Sequence, residues 1–106
     1  MPRPITALCL FVASTGVLAA PLSGERQAQL RSLLYQDCGS CHGMRLTGGL
    51  GPALTPDALA GKSRELLLAT VRDGRAGTPM PPWKKLLSEA DIEWLVDYLM
   101  QPGATR

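Results

Sequence analysis

The feature that most constrains this chain is the pattern Cys-x-x-Cys-His at residues 38–42. Two thiols three positions apart lie on one turn of chain, so each can form a thioether with a vinyl group on the same edge of a porphyrin. The histidine after the second cysteine then lies beneath the iron, where its ring can serve as an axial ligand. The pattern therefore predicts one covalently bound haem c, with Cys38 and Cys41 as attachment points and His42 as an iron ligand.

Two other kinds of site use closely spaced cysteines, and the sequence favours neither. A thioredoxin-like dithiol needs a strand followed by a helix, and no strand pattern precedes the motif. A structural zinc site needs four ligands, usually in two pairs. Outside the motif the chain has only Cys9, and His42 is its single histidine. Haem attachment is therefore the interpretation that best explains the spacing.

The first residues predict a segment that is removed on export. Arg3 supplies a positive charge, and residues 5–20 follow as an uncharged, mostly apolar run. A spanning helix needs about 20 apolar residues, so the run is more typical of a secretory signal peptide than of a retained membrane anchor. Cleavage after Ala19 predicts a signal peptide at 1–19 and a mature domain at 20–106, located in the periplasm. Cleavage after Ala20 is the alternative, although Pro21 would then follow the cut.

The composition of the mature chain predicts a small domain whose apolar core needs a supplement. The mature chain lacks phenylalanine, and its aromatic residues are two tyrosines and two tryptophans. Such a thin core is marginal unless a cofactor adds apolar mass, so we expect the haem-free chain to fold poorly. The net charge of the full chain is +2, with no basic tract and no basic amphipathic helix. We therefore expect a monomer that binds neither nucleic acid nor, after cleavage, a membrane.

Start and stop signals predict an all-α domain of three to five helices. Ser23 is an N-cap candidate for a first helix that runs into the 38–42 motif. The Thr-Pro-Asp sequence at 55–57 predicts a short helix, and Ser63 and Gly74 bracket a helix at 64–73. A capping box that begins at Ser88 starts the last helix, and no segment shows the alternation of a strand.

Glycine and proline predict two loops between these helices. Residues 43–54 are glycine-rich, and residues 75–83 contain three prolines within four positions, which forbids a helix there. In the helix between the loops, the spacing predicts that Leu67, Thr70 and Val71 face inward.

Together these motifs resemble the class I c-type cytochromes over essentially the whole mature chain. The resemblance comprises a helix that enters Cys-Gly-Ser-Cys-His-Gly, a glycine loop that ends in Gly51-Pro52, a middle helix, a Pro-Met-Pro loop around Met80 and a final Leu-Ser-Glu-x-x-Ile helix. It implies a cytochrome c domain at 20–106 with the class I cytochrome c fold around one covalently bound haem. Three loop phrases, at 36–43, 48–56 and 77–83, are most similar to the small monohaem cytochromes found with dissimilatory cytochrome cd-type nitrite reductase.

The resemblance also implies partners for the iron. In this family the proximal histidine donates from its second ring nitrogen to the proline carbonyl of the glycine loop, which implies Pro52 as the acceptor for His42. A proline that only stiffens the loop is the alternative. Met80 is the expected distal iron ligand, because a methionine held between prolines in a polar loop is poor core. Met44 lies too close to His42 in sequence to cross the ring, and filling gaps in a core is the ordinary role of a methionine.

Two further groups of residues carry weaker signals. Charged and aromatic residues beside the Met80 loop would line the haem edge, bond a propionate or dock an acidic partner, or else form an ordinary solvated face. These residues are Arg75, Trp83, Lys84 and Lys85. Three aromatic residues are expected to pack where the first and last helices cross. They are Tyr35, Trp94 and Tyr98.

The resemblance implies a one-electron carrier whose iron has both axial positions filled. The expected redox partners are nitrite reductase and an upstream electron donor, and electron transfer during maturation of that enzyme's specialised haem is an alternative task. The competing class is a haem enzyme or gas sensor with an open sixth iron site. Such a site usually has a distal base, and the single histidine, His42, is already assigned to the iron.

Overall fold

The computed structural model describes residues 1, 2, 4, 9–13 and 21–102. The predicted signal-peptide cleavage site lies outside the described residues. Within residues 21–102 the chain is helical and has no strand, which confirms the predicted all-α class. No helix in this part of the chain is long and apolar enough to cross a bilayer.

Five α-helices, one π-helical turn and one 3₁₀ turn make up the regular structure of residues 21–102. They are α1 (Gly24–Leu33), a π-helical turn (Leu34–Cys38), α2 (Gly39–His42), α3 (Pro56–Leu59), α4 (Arg64–Asp73), a 3₁₀ turn (Trp83–Lys85) and α5 (Glu89–Met100).

Side-chain caps start the helices where the sequence predicts them. The hydroxyl oxygens of Ser23, Thr55 and Ser63 accept hydrogen bonds from backbone N–H groups three residues later. At the start of α5, Ser88 and Asp91 form a complete capping box, in which each side chain accepts from the backbone N–H of the other. Because these caps satisfy otherwise unpaired N–H groups, they fix where each helix begins.

The core lies where α1 and α4 pack on α5. Its buried apolar residues are Leu30, Leu34, Leu46, Leu59, Leu68, Leu87, Ile92, Leu95, Val96 and Leu99. On α4 the prediction was only partly right, because the most buried residue is Leu68, while Leu67 and Val71 are half-buried against the core. The Thr70 hydroxyl instead donates to the Leu66 carbonyl of the preceding turn.

The aromatic residues meet at the crossing of the terminal helices, as predicted. The hydroxyl oxygens of Tyr35 and Tyr98 are 3.4 Å apart. Tyr98 stacks on Trp94 with 5.1 Å between ring centroids, and the Arg31 guanidinium lies 5.9 Å from the centre of the Trp94 ring. A surface pocket of about 260 Å³ opens beside this stack, and neither the 38–42 motif nor Met80 lines it.

A buried carboxylate joins the first helix to the last. Asp91 is only 4% exposed, and both of its oxygens accept from the Arg26 guanidinium, at 3.0 and 2.6 Å. These hydrogen bonds, with the backbone N–H of Ser88, lower the pKa of Asp91 to about 2. The Ser-x-x-Asp spacing at 88–91 predicted the cap, whereas the pairing of Asp91 with Arg26, 65 positions away, was not predicted.

We expect Asp91→Ala to lower the free energy of unfolding by about 1–3 kcal/mol, because it removes a helix cap and leaves Arg26 without its buried partner. Asp97→Ala is the matched control, since Asp97 forms the same two-pronged pair with Arg64 but its side chain is half exposed. An exposed pair contributes little, so the control should lose clearly less. Urea unfolding of the haem-loaded proteins measures both, and equal losses would contradict this assignment.

The contribution of Asp91 should depend on pH in a defined direction. A carboxyl group whose folded-state pKa is lowered adds stability above its unfolded pKa and loses that stability as the pH falls through the folded value. The folded value is about 2, against an ordinary 3.8. The stability gap between wild type and Asp91→Ala should therefore stay constant down to about pH 4 and shrink from there towards pH 2. Urea titrations at several pH values measure the gap.

Candidate haem-binding site

The two thiols follow the first helix, at and just after the end of a π-helical turn. After α1 the chain makes a π-helical turn over Leu34–Cys38 and continues as α2, so both cysteines, three positions apart, lie on one continuous helical path. Single π-turns within helices often occur at functional sites. Both thiols are free of disulfide bonds. Burial, with the nearby charge of Asp37, raises the pKa of Cys38 to about 11, which keeps this thiol protonated at neutral pH.

His42 is held by a main-chain carbonyl. Its Nδ1 lies 2.6 Å from the carbonyl oxygen of Pro52, the acceptor that the family resemblance implies. Because a carbonyl can only accept, Nδ1 carries the proton and Nε2 keeps its lone pair for a metal. This contact orients the imidazole as an iron ligand requires, and the haem-binding roles of both residues stay predictions.

The glycine loop wraps closely around the histidine. The backbone N–H of Gly48 donates to the His42 carbonyl and that of Gly51 donates to the Cys41 carbonyl, each at 2.8 Å. A Cβ atom at Gly51 would lie only 2.7 Å from His42 Nδ1. At Gly43, where φ is +95°, it would lie 2.6 Å from the Gly48 carbonyl oxygen. The glycines therefore allow the loop to approach the imidazole more closely than a side chain would permit.

Met80 lies in a second loop, which is closed on itself by hydrogen bonds. Its carbonyl accepts from the Arg75 N–H at 3.2 Å, and its N–H lies 3.3 Å from Thr78 Oγ1. The Thr78 hydroxyl in turn donates to the Arg75 carbonyl at 2.7 Å. Thr78 was not among the predicted residues, although a threonine hydroxyl that bonds nearby backbone groups is a recognised feature of turns.

Two ion pairs hold the ends of this second loop together. Lys84 Nζ lies 3.1 Å from Asp73 Oδ1, and the Arg72 guanidinium pairs with Glu89. Lys84 therefore has a local partner although it is exposed, and Arg75 and Lys85 are exposed beside the loop as well. Trp83 is partly buried against the apolar core, so the structure gives local contacts to Trp83 and Lys84 among these four residues.

The side chains present fit a c-type haem. Two neighbouring thiols, an imidazole with Nε2 free and a thioether in a closed loop are the donors that such a haem uses. The close approach of Gly51 to His42 shows that the loop is shaped around the ring. In residues 21–102 and the other described positions, no group of three or more histidine, cysteine or acidic side chains could hold a metal ion by itself. The donor set therefore matches a porphyrin-bound iron better than a zinc ion.

Comparison with known proteins agrees with this donor set. Residues 25–99 match a protein family described as "Cytochrome C oxidase, cbb3-type, subunit III". "Cytochrome c55X" from Pseudomonas aeruginosa is 62% identical over 107 residues, which cover 93% of this chain and 90% of that relative. The solved structure of "c-type cytochrome NirC" is 65% identical and covers 80% of this chain and 100% of its own, with a TM-score of 0.77.

A larger relative contains a similar module. "Dihydro-heme d1 dehydrogenase" from Pseudomonas aeruginosa is 34% identical over 90 residues, which cover 81% of this chain but only 17% of that relative.

We expect Gly51→Ala to push the His42 ring away from Pro52, because the added methyl group would lie 2.7 Å from Nδ1. The Nδ1 proton should then exchange with solvent roughly tenfold faster, as the loss of one hydrogen bond allows. NMR of the reduced, haem-loaded protein measures this exchange. Gly24→Ala is the control, since nothing lies within 4 Å of a Cβ there. An unchanged exchange rate in Gly51→Ala would show that the loop is not packed on the ring.

Proposed function

Because the chain belongs to the c-type cytochromes, in the group that includes NirC and cytochrome c55X, we propose that it is a periplasmic one-electron carrier with a single haem. Cytochromes are electron-transfer proteins, and c-type cytochromes carry covalently bound haem c. For this chain, the haem is attached through Cys38 and Cys41 and its iron is bound by His42 and Met80. The signal peptide, residues 1–19, is removed, and the mature domain is a monomer free of the membrane.

The observation that carries the proposal is the contact between His42 Nδ1 and the Pro52 carbonyl oxygen at 2.6 Å. It fixes the tautomer of the only histidine in the chain and aims Nε2 away from the loop. A histidine fixed in this way presents one defined ring nitrogen, Nε2, to a metal, as an iron ligand requires.

The two cysteines and Met80 complete the proposed haem site. When bound, haem supplies an iron that alternates between two oxidation states. Cys38 and Cys41 would anchor the porphyrin, and Met80 would bind the iron through its thioether, which would raise the reduction potential relative to a second imidazole. With His42 and Met80 both bound to the iron, the protein would exchange electrons without binding a substrate at the metal.

We place the carrier in the nitrite reductase system. Its similarity to NirC supports nitrite reductase as the electron acceptor, with a separate upstream donor. A second task is supported by the similarity to dihydro-heme d1 dehydrogenase, whose name denotes removal of hydrogen from a haem precursor. A dehydrogenation releases two electrons and two protons, so two molecules of this one-electron carrier would accept the electrons of each turnover while the protons pass to solvent. Stopped-flow mixing separates the tasks: the reduced protein is reoxidised by nitrite reductase, or the oxidised protein is reduced by the dehydrogenase with its substrate.

The competing class, a haem enzyme or gas sensor with an open iron site, lacks support in the chain. Its only histidine is held by Pro52, so no second imidazole exists to act as a distal base. Rapid binding of carbon monoxide by the reduced wild-type protein would favour that class over the carrier.

We expect protein isolated from the periplasm to have the mass of residues 20–106 plus one haem. The expectation follows from two thiols committed to one porphyrin and from removal of the signal peptide. Mass spectrometry of the intact protein measures both features together. The bare polypeptide mass would contradict haem attachment, whereas haem on a chain that keeps residues 1–19 would contradict only the cleavage.

We expect Met80→Ala to lower the reduction potential and to let the reduced protein bind carbon monoxide, because it removes the thioether from the sixth position. Met44→Ala is the matched control: Met44 is 70% exposed and two residues from His42, so its loss should change neither property. Potentiometry and carbon monoxide titration provide the measurements. If Met80→Ala behaves like wild type, Met80 is not the distal ligand.

A further inference from the structure

Gly74 is packed against the backbone of the residue proposed as the distal ligand. It ends α4 with φ +69° and ψ −165°, a conformation that is essentially restricted to glycine. A Cβ atom at this position would lie 2.6 Å from the Met80 carbonyl oxygen and 2.7 Å from the Pro81 carbonyl carbon. Both neighbours are main-chain atoms, so no side-chain rotation relieves the overlap, and the Met80–Pro81 peptide itself would have to move.

The peptide that touches Gly74 is also the one that closes the Met80 loop. The Met80 carbonyl accepts the Arg75 N–H at 3.2 Å, and the Met80 N–H lies near the Thr78 hydroxyl. Arg75 directly follows Gly74, so any shift of the carbonyl away from Gly74 also lengthens this hydrogen bond. The position of the Met80 backbone is therefore set from two sides, by contact with Gly74 and by donation from Arg75.

A second glycine of the same loop, Gly77, distinguishes the effect of the contact with Met80 from the effect of a positive φ alone. Gly77 also has a positive φ, +76°, yet nothing lies within 4 Å of a Cβ placed on it. Substituting alanine for either glycine forces a side chain into a left-handed conformation, but only at Gly74 does the new methyl group meet Met80 and Pro81.

We propose that Gly74 is a positioning residue for Met80. Its direct contact with the main chain of Met80 and Pro81 sets the distance between the Met80 loop and the end of α4. The inference rests on the proposed function, in which Met80 binds the iron. Gly74 itself touches neither the iron nor a substrate, and it acts only through the place that it gives to Met80.

The test compares four haem-loaded proteins: wild type, Gly74→Ala, Gly77→Ala and Met80→Ala. Four properties are measured, namely the absorption band of ferric iron bound to a thioether, the reduction potential, the rate of carbon monoxide binding to the reduced protein and the helical signal in the far ultraviolet.

The overlap between an alanine methyl group at position 74 and the Met80 and Pro81 main chain should shift the equilibrium from bound to displaced thioether by roughly tenfold to a hundredfold. In Gly74→Ala we therefore expect a weaker band, a potential nearer to that of Met80→Ala and carbon monoxide binding faster by that factor. Gly77→Ala should match wild type in these properties, and the helical signal should be the same in all four.

Each other result overturns the proposal. Equal changes in Gly74→Ala and Gly77→Ala would assign the effect to the left-handed backbone instead of the contact with Met80. A wild-type band in Gly74→Ala would show that the contact does not place the thioether. Loss of the helical signal in Gly74→Ala would make its role global instead of local. If Met80→Ala leaves the band unchanged, the ligand assignment falls and this proposal falls with it, whereas the first three results leave Met80 as the ligand.

Discussion

The contact between the His42 imidazole and the Pro52 carbonyl is the interaction on which the rest of the site depends. At 2.6 Å it fixes which ring nitrogen carries the proton, and therefore which one can bind iron. The glycine loop exists in its observed form because this carbonyl must reach the ring: Gly51 leaves no room for a side chain beside Nδ1. Cys41 directly precedes His42 and Cys38 lies four positions before it, so a porphyrin bound by the two thiols would be placed relative to an imidazole that is already oriented.

The scaffold that supports this site is the crossing of the first and last helices. Their contact combines the part-buried Asp91–Arg26 pair with the approach of the Arg31 guanidinium to the Trp94 ring. The two kinds of interaction lie at different places along α5, at its start and near its middle, so together they fix both the position and the direction of α1. Because α1 continues through the π-helical turn into Cys38, this packing also helps to place the two thiols.

Local chemistry explains which features could be predicted from the sequence. The helix starts at Ser23, Thr55, Ser63 and Ser88 were predictable because a cap involves only residues a few positions apart. Candidate donors could be named because few residue types bind haem iron, and their roles stay predictions. Arg26 could not be foreseen as the partner of Asp91, since nothing local links positions 65 apart. On α4 the helical period predicted the correct side of the helix but chose Thr70 over Leu68, because periodicity alone does not show which edge of the apolar face lies deepest.

Both proposed iron ligands contact main-chain atoms of the loops around them. His42 is oriented by the carbonyl of Pro52, and the backbone of Met80 lies between the Arg75 N–H and the bare Cα of Gly74. Loops built in this way are rich in glycine and proline, since one residue type permits close approach and the other limits the backbone. In the proposed carrier, electron transfer would change the charge on the iron without changing its ligands, and these backbone contacts would keep the ligand geometry the same in both oxidation states. The glycines and prolines beside the donors would therefore be as much a part of the proposed electron site as the donors themselves.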